Sequence, residues 1–367
     1  MKVCFVGKFI EGEILTGPEK VAKRIFCRFV DAGIQSVFLE YFFDGSAYTI
    51  WQKLFGAEHR IYLEKYPIFR LGLFRIPFFL LRTKPSVIHV ITFERFAALV
   101  VLLARVSGIR ILFNLHGVAF QEQRNAANPG SAFLQLKDRL AERMLLRFAY
   151  LVLSYTEESA HSVQQRYKLR SGKFRFIENG IDDIFFDAYH IHSQHGRLRC
   201  VIVADAHRPE KGISFLFDTL LLCDFPIELH LVGEGWDKEG LPSTEFVSFS
   251  PHKKMLPEQL ATLLGTCDII LSASKMETFG ISVWEGVAAG CVPVLTVQTG
   301  SSRLVVDGAS GFLVEFGDAQ AFASRLRRLN DDRILLRAVS EQSRNVSQNL
   351  RWPIIAHQYF ELQQELR

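Results

Sequence analysis

Short apolar runs alternate with segments whose apolar residues recur every three or four positions, almost from one end of the chain to the other. Brief apolar runs bounded by turn residues predict buried strands, and the longer period predicts helices laid against them. Residues 3–6, 37–39, 87–90, 111–115 and 151–154 read as strands of a first sheet. Residues 199–203, 229–232, 246–250, 269–271 and 292–297 read as strands of a second. Between them, Val21, Ile25, Phe29 and Val30 keep helical spacing up to Gly33, residues 96–106 do the same, and a helix opens at 155–158. Strands separated by helical patterns predict parallel sheets, hence an α/β chain of two doubly wound, Rossmann-like domains. Residues 187–197 carry His190, His192 and His195 and read as the linker, giving domains 1–188 and 189–351. His-x-His also occurs at metal sites, but no Cys or acid stands beside it in a matching pattern.

The pattern is densest in residues 269–295, IILSASKMETFGISVWEGVAAGCVPVL. A strand at 269–271 gives way to the polar loop Ser272 to Gly280. A helix then carries Val283, Trp284, Val287 and Ala288 on one face, and Gly290 stops it before the next strand. In an open α/β sheet, ligands sit where such a loop leaves the carboxyl end of a strand. N–H groups around Phe279, Gly280 and Ile281 at the helix start would favour an anion such as a diphosphate. Glu277 and Glu285 would lie about 12 Å apart along one straight helix and roughly 80° around it, so they cannot act on one atom. With Glu277 on the loop and Glu285 in the helix, they would hold two ends of an extended ligand. The other reading is a dipole-stabilising carboxylate and a solvated helical residue.

Composition narrows the classes. The chain has 367 residues, 49% hydrophobic and 22% charged, with 32 Phe, enough for two cores. The net charge of +4 is uneven: residues 1–190 hold 26 Lys+Arg against 18 Asp+Glu. A basic first half favours an anionic partner; no nucleic-acid motif accompanies it. Six scattered cysteines without a CxxC pair read as buried free thiols of a reducing compartment. No GxGxxG follows a strand, which argues against a dinucleotide dehydrogenase. No Asp-x-Asp triplet is present to chelate a metal through phosphates, so no metal is expected. The first ten residues lack a signal-peptide core and no apolar run approaches ~18 residues, so a cytoplasmic protein is expected. Residues 66–85, YPIFRLGLFRIPFFLLRTKP, set Arg70, Arg75, Arg82 and Lys84 among Phe, Leu and Ile. That suits an interfacial membrane segment; a helix and loop covering the first sheet with snorkelling arginines suits it too.

The set Ser274, Glu277, Phe279-Gly280, Glu285, Ala289-Gly290 and Pro293-Val294 resembles the signature of the retaining glycosyltransferases of GT-B fold, family 4 (group 1). The resemblance implies two facing domains around a cleft, with the basic first domain holding the acceptor and the second the nucleotide sugar. By it, Glu277 touches the donor sugar, Glu285 binds the ribose, and the backbone of Thr278, Phe279, Gly280 and Ile281 faces the diphosphate. Further stretches match in the same order. Gly17, in a loop after the first strand, resembles the family's glycine near the donor phosphates, and is equally a plain turn glycine. His116-Gly117 resembles the pair facing the donor sugar; a lone His there is otherwise a structural hydrogen-bonder. Asn179-Gly180-Ile181-Asp182 resembles the turn before the domain crossing. Pro209-Glu210-Lys211-Gly212 resembles the loop whose Lys grips the diphosphate, Gly233-Glu234-Gly235 the loop on the nucleotide side, and Asp307-Gly308 with 311–314 a further family stretch.

Two positions depart from the pattern. An Arg normally stands five or six residues before the Lys, where this chain has Asp205-Ala206, leaving Arg208 or Arg199 to compensate. A Gly-Gly is Thr299-Gly300 here. The implied activity is metal-independent, retaining transfer of a sugar, by family habit from a UDP-sugar, to a bacterial cell-surface glycan or lipid-linked saccharide. The enzyme would be peripheral on the inner membrane face. A last helix, about 352–367, would return to the first domain with Trp352 near the hinge. The alternatives are a non-catalytic nucleotide-sugar or partner-binding subunit, and an epimerase or phosphorylase on the same fold.

Overall fold

The computed structural model describes residues 2–42, 48–117, 132–189, 196–236, 241–242 and 244–366. The chain divides into two compact units. The first runs to Ile177 and takes in Ile355–Arg367; the second is Glu178–Ile354. The expected boundary at 188/189 therefore falls inside the second unit, after the short helix Asp183–Asp187. His190, His192 and His195 lie outside the described residues.

The first unit is built on eight strands: β1 (Lys2–Val6), β2 (Gln35–Tyr41), β3 (Ala57–Tyr62), β4 (Tyr66–Leu71), β5 (Val87–Val90), β6 (Arg110–Leu115), β7 (Leu151–Ser154) and β8 (Phe174–Phe176). Their order is β3-β4-β2-β1-β5-β6-β7-β8, all parallel except β3 against β4. The sheet reverses direction of growth between β1 and β5, its switch point. Phe5, Phe26, Phe29 and Phe38 pack edge-on or stacked in the layer between β1, β2 and the helix Gly17–Asp31. The abundant Phe thus supplies large buried rings that meet in favourable edge geometry.

The segment 66–85 needs correction. Its first third is neither an interfacial segment nor a covering helix but β4, paired with β2 and β3. Tyr66, Ile68 and Leu71 are buried. Arg70 does not reach outward: it pairs with Glu40 and with Glu58, while Arg60 pairs with the same Glu40. Glu40 is buried and also accepts from Phe9 N at 2.6 Å. Burial raises its pKa, and the two guanidiniums oppose that rise. The apolar reading of the segment survives only in 73–83, a 3₁₀ turn Leu73–Arg75 and a helix Ile76–Thr83.

The second unit holds β9 (Leu198–Val203), β10 (Ile227–Val232), β11 (Val247–His252), β12 (Ile269–Ser272), β13 (Val292–Thr296) and β14 (Phe312–Val314), all parallel. Their order, β11-β10-β9-β12-β13-β14, is that of a doubly wound dinucleotide-type sheet, with its switch point between β9 and β12. The turn Asn179 to Asp182 is fastened by Ile181 N donating to Leu350 O at 2.7 Å. All six cysteines are free thiols, five of them buried. Among the described residues, no helix is long and apolar enough to cross a membrane.

The last helix, Trp352–Glu365, begins over Gly180 in the second unit and continues as part of the first. There Phe360 meets Phe29, Tyr359 OH accepts from Asn114 Nδ2 at 3.0 Å, and Gln363 Nε2 donates to His89 Nδ1 at 3.0 Å. His89 is fully buried, and burial pushes its pKa from 6.5 down to about 4. The unfolded chain therefore takes up the proton first as pH falls. The stability is whole above pH 6.5 and is lost between 6.5 and 4, by roughly 3 kcal/mol from this group. Urea midpoints at pH 7.5 and 4.5 check this: the wild type is expected to lose more stability than His89→Gln, and equal losses contradict it.

Candidate functional site

At the switch point of the second unit, the loop after β9 and the loop after β12 lie together. Lys275 N donates to Glu210 O at 2.8 Å, tying one loop to the other. This places Lys211 against Glu277, and the ammonium hydrogen-bonds the carboxylate in a partly buried ion pair. Glu277 is itself fixed by backbone: its N–H donates to Gln298 O at 3.3 Å and its carbonyl accepts from Gly300 N at 2.8 Å. Lys211 precedes Gly212, whose φ of +65° and position against Ala273 O, 1.9 Å from where a Cβ would stand, require glycine.

Three residues beyond Glu277, Gly280 takes φ +84° and opens the helix Ile281–Ala288. The first N–H groups of that helix have no intrahelical acceptor, and they sit beside the Lys211–Glu277 pair. Phe279 and Gly280 are buried, and Thr278 and Ile281 are half-buried. Glu285 is 3% exposed, which excludes the solvated alternative. Under the loop runs a buried hydroxyl ladder: Ser272 Oγ bonds Ser274 Oγ at 3.2 Å and Thr299 Oγ1 at 3.0 Å, and Thr296 Oγ1 donates to Ser274 O at 2.6 Å. Thr299, where the family has Gly, is thus a rung of this ladder and packs its methyl on Gly280.

Gly233 and Gly235 follow β10, next to β9. Their loop is held by Ala206 N donating to Glu234 O at 2.8 Å and by Glu234 N donating to Asp205 Oδ1 at 2.9 Å. Asp205, in place of the usual Arg, braces this loop and pairs with Lys254 at 3.3 Å. Neither alternative cation replaces the Arg. Arg199 lies at the amino end of β9, about 13 Å of strand from the site. Arg208 Nε donates to Glu210 Oε1 at 2.6 Å and is half exposed.

His116 and Gly17 belong to the first unit, apart from the group around Lys211. Gly17 is the first residue of its helix, and the N–H of Thr16 before it is taken by Glu19 Oε2 at 3.0 Å, so a carboxylate already occupies that end. His116 follows β6. Its Nε2 lies 2.7 Å from Ile91 O, an acceptor, so the proton is on Nε2 and Nδ1 is a lone pair. Burial pushes its pKa down to about 4. The imidazole is neutral at pH 7 and can accept a hydroxyl proton at Nδ1 but not supply positive charge.

One residue escaped the sequence reading. Glu94 stands after β5, at the switch point of the first unit, and burial pushes its carboxyl up to about 7 against the pull of Lys8 and Arg95. Its signal was its isolation: it is the sole acid between Glu64 and Glu122.

The profile described as Glycosyltransferase Family 4 matches residues 15–184, and that described as Glycosyl transferases group 1 matches residues 197–346. The chain belongs to the group 1, family 4 glycosyltransferases. An uncharacterized glycosyltransferase of Methanocaldococcus jannaschii is 23% identical over 148 residues, 39% of this chain and 42% of that protein. The chain thus spans well under half the length of this curated relative. Sucrose-phosphate synthase from Thermosynechococcus elongatus superposes with a TM-score of 0.75 at 16% identity, covering 100% of this chain and 98% of the other. Anabaena HepE, solved in complex with UDP and glucose, gives 0.71 at 19% identity, with 100% of each chain covered. These neighbours establish the GT-B fold for this family member.

Proposed function

We propose that the chain transfers a sugar, with retention at the anomeric carbon, from a UDP-sugar to a glycan or lipid-linked saccharide acceptor, without a metal. The observation that carries this reading is the Lys211–Glu277 pair beside the helix start at Gly280, on the switch point of the second sheet. The ammonium and the helix N–H groups would neutralise the leaving diphosphate, electrostatic work that dominates such reactions. Glu277 would orient sugar hydroxyls, Glu285 the ribose, and the Nδ1 of His116 would accept from a sugar hydroxyl. The acceptor oxygen replaces the phosphate oxygen on the anomeric carbon, and its proton leaves with the diphosphate. HepE's complex with UDP and glucose supports the choice of donor base.

Nucleotide release from UDP-, GDP- and ADP-sugars tests this, with membrane extract as acceptor source, EDTA present and Glu277→Ala as control. Release from one donor, dependent on extract and lost in the variant, is expected. Binding without release under any extract contradicts transfer and favours a non-catalytic subunit, for which the missing Arg at Asp205-Ala206 is the supporting feature.

The acceptor would be met at an anionic membrane surface. Phe74, Phe78 and Leu81 form one outward stripe, and Phe55 stacks on Phe74 at 5.0 Å with Trp51 beside it. Phe78 is 74% exposed and Trp51 70%. Arg75, Arg82 and Lys84 flank the stripe, and no acid occurs from Lys65 to Phe93. Aromatic and basic side chains on one face, without acids, match an anionic headgroup layer. Flotation with vesicles holding anionic lipid is expected to carry the wild type and to lose Phe78→Ser at least fivefold; equal flotation contradicts the assignment.

A further inference from the structure

Behind His116 lies a polar cluster that the donor reading does not use. His89, Asn114, Tyr359 and Gln363 are 0% exposed and Tyr155 is 1% exposed. Five polar side chains placed where apolar ones would pack at no desolvation cost call for a role other than cohesion. Their hydrogen bonds run in one sense. Gln363 Nε2 donates to His89 Nδ1 at 3.0 Å, and His89 Nε2–H donates to Asn114 Oδ1 at 2.8 Å. That orients the Asn114 amide, whose Nδ2 then gives its two protons to Tyr359 OH at 3.0 Å and Tyr155 OH at 3.4 Å. The two phenol hydroxyls also bond each other.

The cluster ends on His116. His116 stands two residues after Asn114, just past the end of β6. Tyr155 follows β7 as His116 follows β6, with Leu115 and Ser154 in register just before them. The Tyr155 ring lies 5.2 Å from the His116 ring. His116 therefore has two supports: the Ile91 carbonyl, which holds Nε2, and the Tyr155 ring, which blocks rotation about that bond. The ring of Tyr155 is in turn set by its hydroxyl, through Asn114 and Tyr359.

We propose that Tyr359, on the C-terminal helix, is a positioning residue for His116, acting through the Tyr155 ring and the Asn114 amide, with Gln363 and His89 fixing that amide. The inference rests on the reading of His116 as facing the donor sugar. Loss of the Tyr359 hydroxyl leaves the Asn114 amide and the Tyr155 hydroxyl one partner short, the Tyr155 ring is less tightly set against His116, and the lone pair at His116 Nδ1 loses its direction.

A double-mutant cycle tests it on the full chain, with the donor and acceptor found by nucleotide release. Tyr359→Phe is expected to lower kcat about 5- to 20-fold, with donor KM within twofold and the melting temperature nearly kept. Tyr155→Phe, which keeps the ring on His116, is expected to do the same and stands in if Tyr359→Phe folds poorly. In a His116→Ala background, Tyr359→Phe is expected to cost nothing further. A loss that multiplies with that of His116→Ala overturns the proposal, because the tyrosine then acts on its own. Unchanged kcat in both tyrosine variants overturns it while leaving His116 in its role, provided His116→Ala is impaired. If His116→Ala itself transfers normally, the reading of His116 fails, and the inference with it.

Discussion

Lys211→Ala is expected to lower kcat/KM for sugar transfer by about 100- to 1,000-fold, the range found when a preorganised group facing developing charge is removed. Two effects add. A diphosphate leaving at this site would lose the Lys211 ammonium, and neither Arg199, at the far end of β9, nor Arg208, engaged with Glu210, stands in for it. Glu277 would also lose its partner and become a partly buried, unpaired carboxylate beside the proposed diphosphate site. Lys211→Arg is expected to recover little, because the compact ammonium fits between Glu277 and the loop while a planar fork does not. Steady-state kinetics with the active donor check this; a loss below fivefold for Lys211→Ala contradicts the assignment.

Gly212→Ala is expected to be the most damaging substitution that changes no functional group. The residue holds φ +65°, and its new Cβ would lie 1.9 Å from Ala273 O, a backbone atom at the end of β12. Left-handed backbone alone costs about 1–2 kcal/mol in a residue with a Cβ. Displacing the carbonyl raises the total to about 3 kcal/mol, of the order seen for strained backbone sites. The shift would move Lys211 away from Glu277 at the same time. Thermal unfolding is expected to show a melting point about 10 °C lower, with transfer reduced at least tenfold. A melting point within 2 °C of wild type and unchanged transfer would contradict the described loop.

How much of this was legible in the sequence depends on the range of the contacts. The strand, loop, helix and strand of 269–295 could be read because their signals are local: an apolar run, a glycine with forced backbone, and a helical period. The same holds for β1, β5 and β7, each a short continuous apolar run. The hairpin of β3 and β4 could not be read. β3 has no fully buried residue, Arg70 shares its face of β4 with the buried Tyr66 and Ile68, and both Arg60 and Arg70 are paired with Glu40 on another strand. Composition therefore ran 66–71 together with 73–83 as one apolar, basic surface segment. The real exposed stripe starts at Phe74. The pairing of Lys211 with Glu277 spans 66 residues and depends on which strands flank the switch point, which no local pattern specifies. The burial of Glu285 was hidden for a similar reason: helical period gives a face, not what covers it. Glu94 was visible only as a lone acid in a basic stretch, and its raised pKa comes from packing.

In the proposed reaction the cluster at the second switch point receives a nucleoside diphosphate. Titrating UDP, GDP and ADP into the wild type, Lys211→Ala and Glu277→Ala tests it without requiring an acceptor. The prediction is that UDP binds the wild type, that Lys211→Ala weakens it at least tenfold (about 1.4 kcal/mol), and that Glu277→Ala leaves it equal or tighter because the ammonium is released to the phosphates. Equal affinity for the wild type and Lys211→Ala, or no binding of any of the three nucleotides, would contradict it.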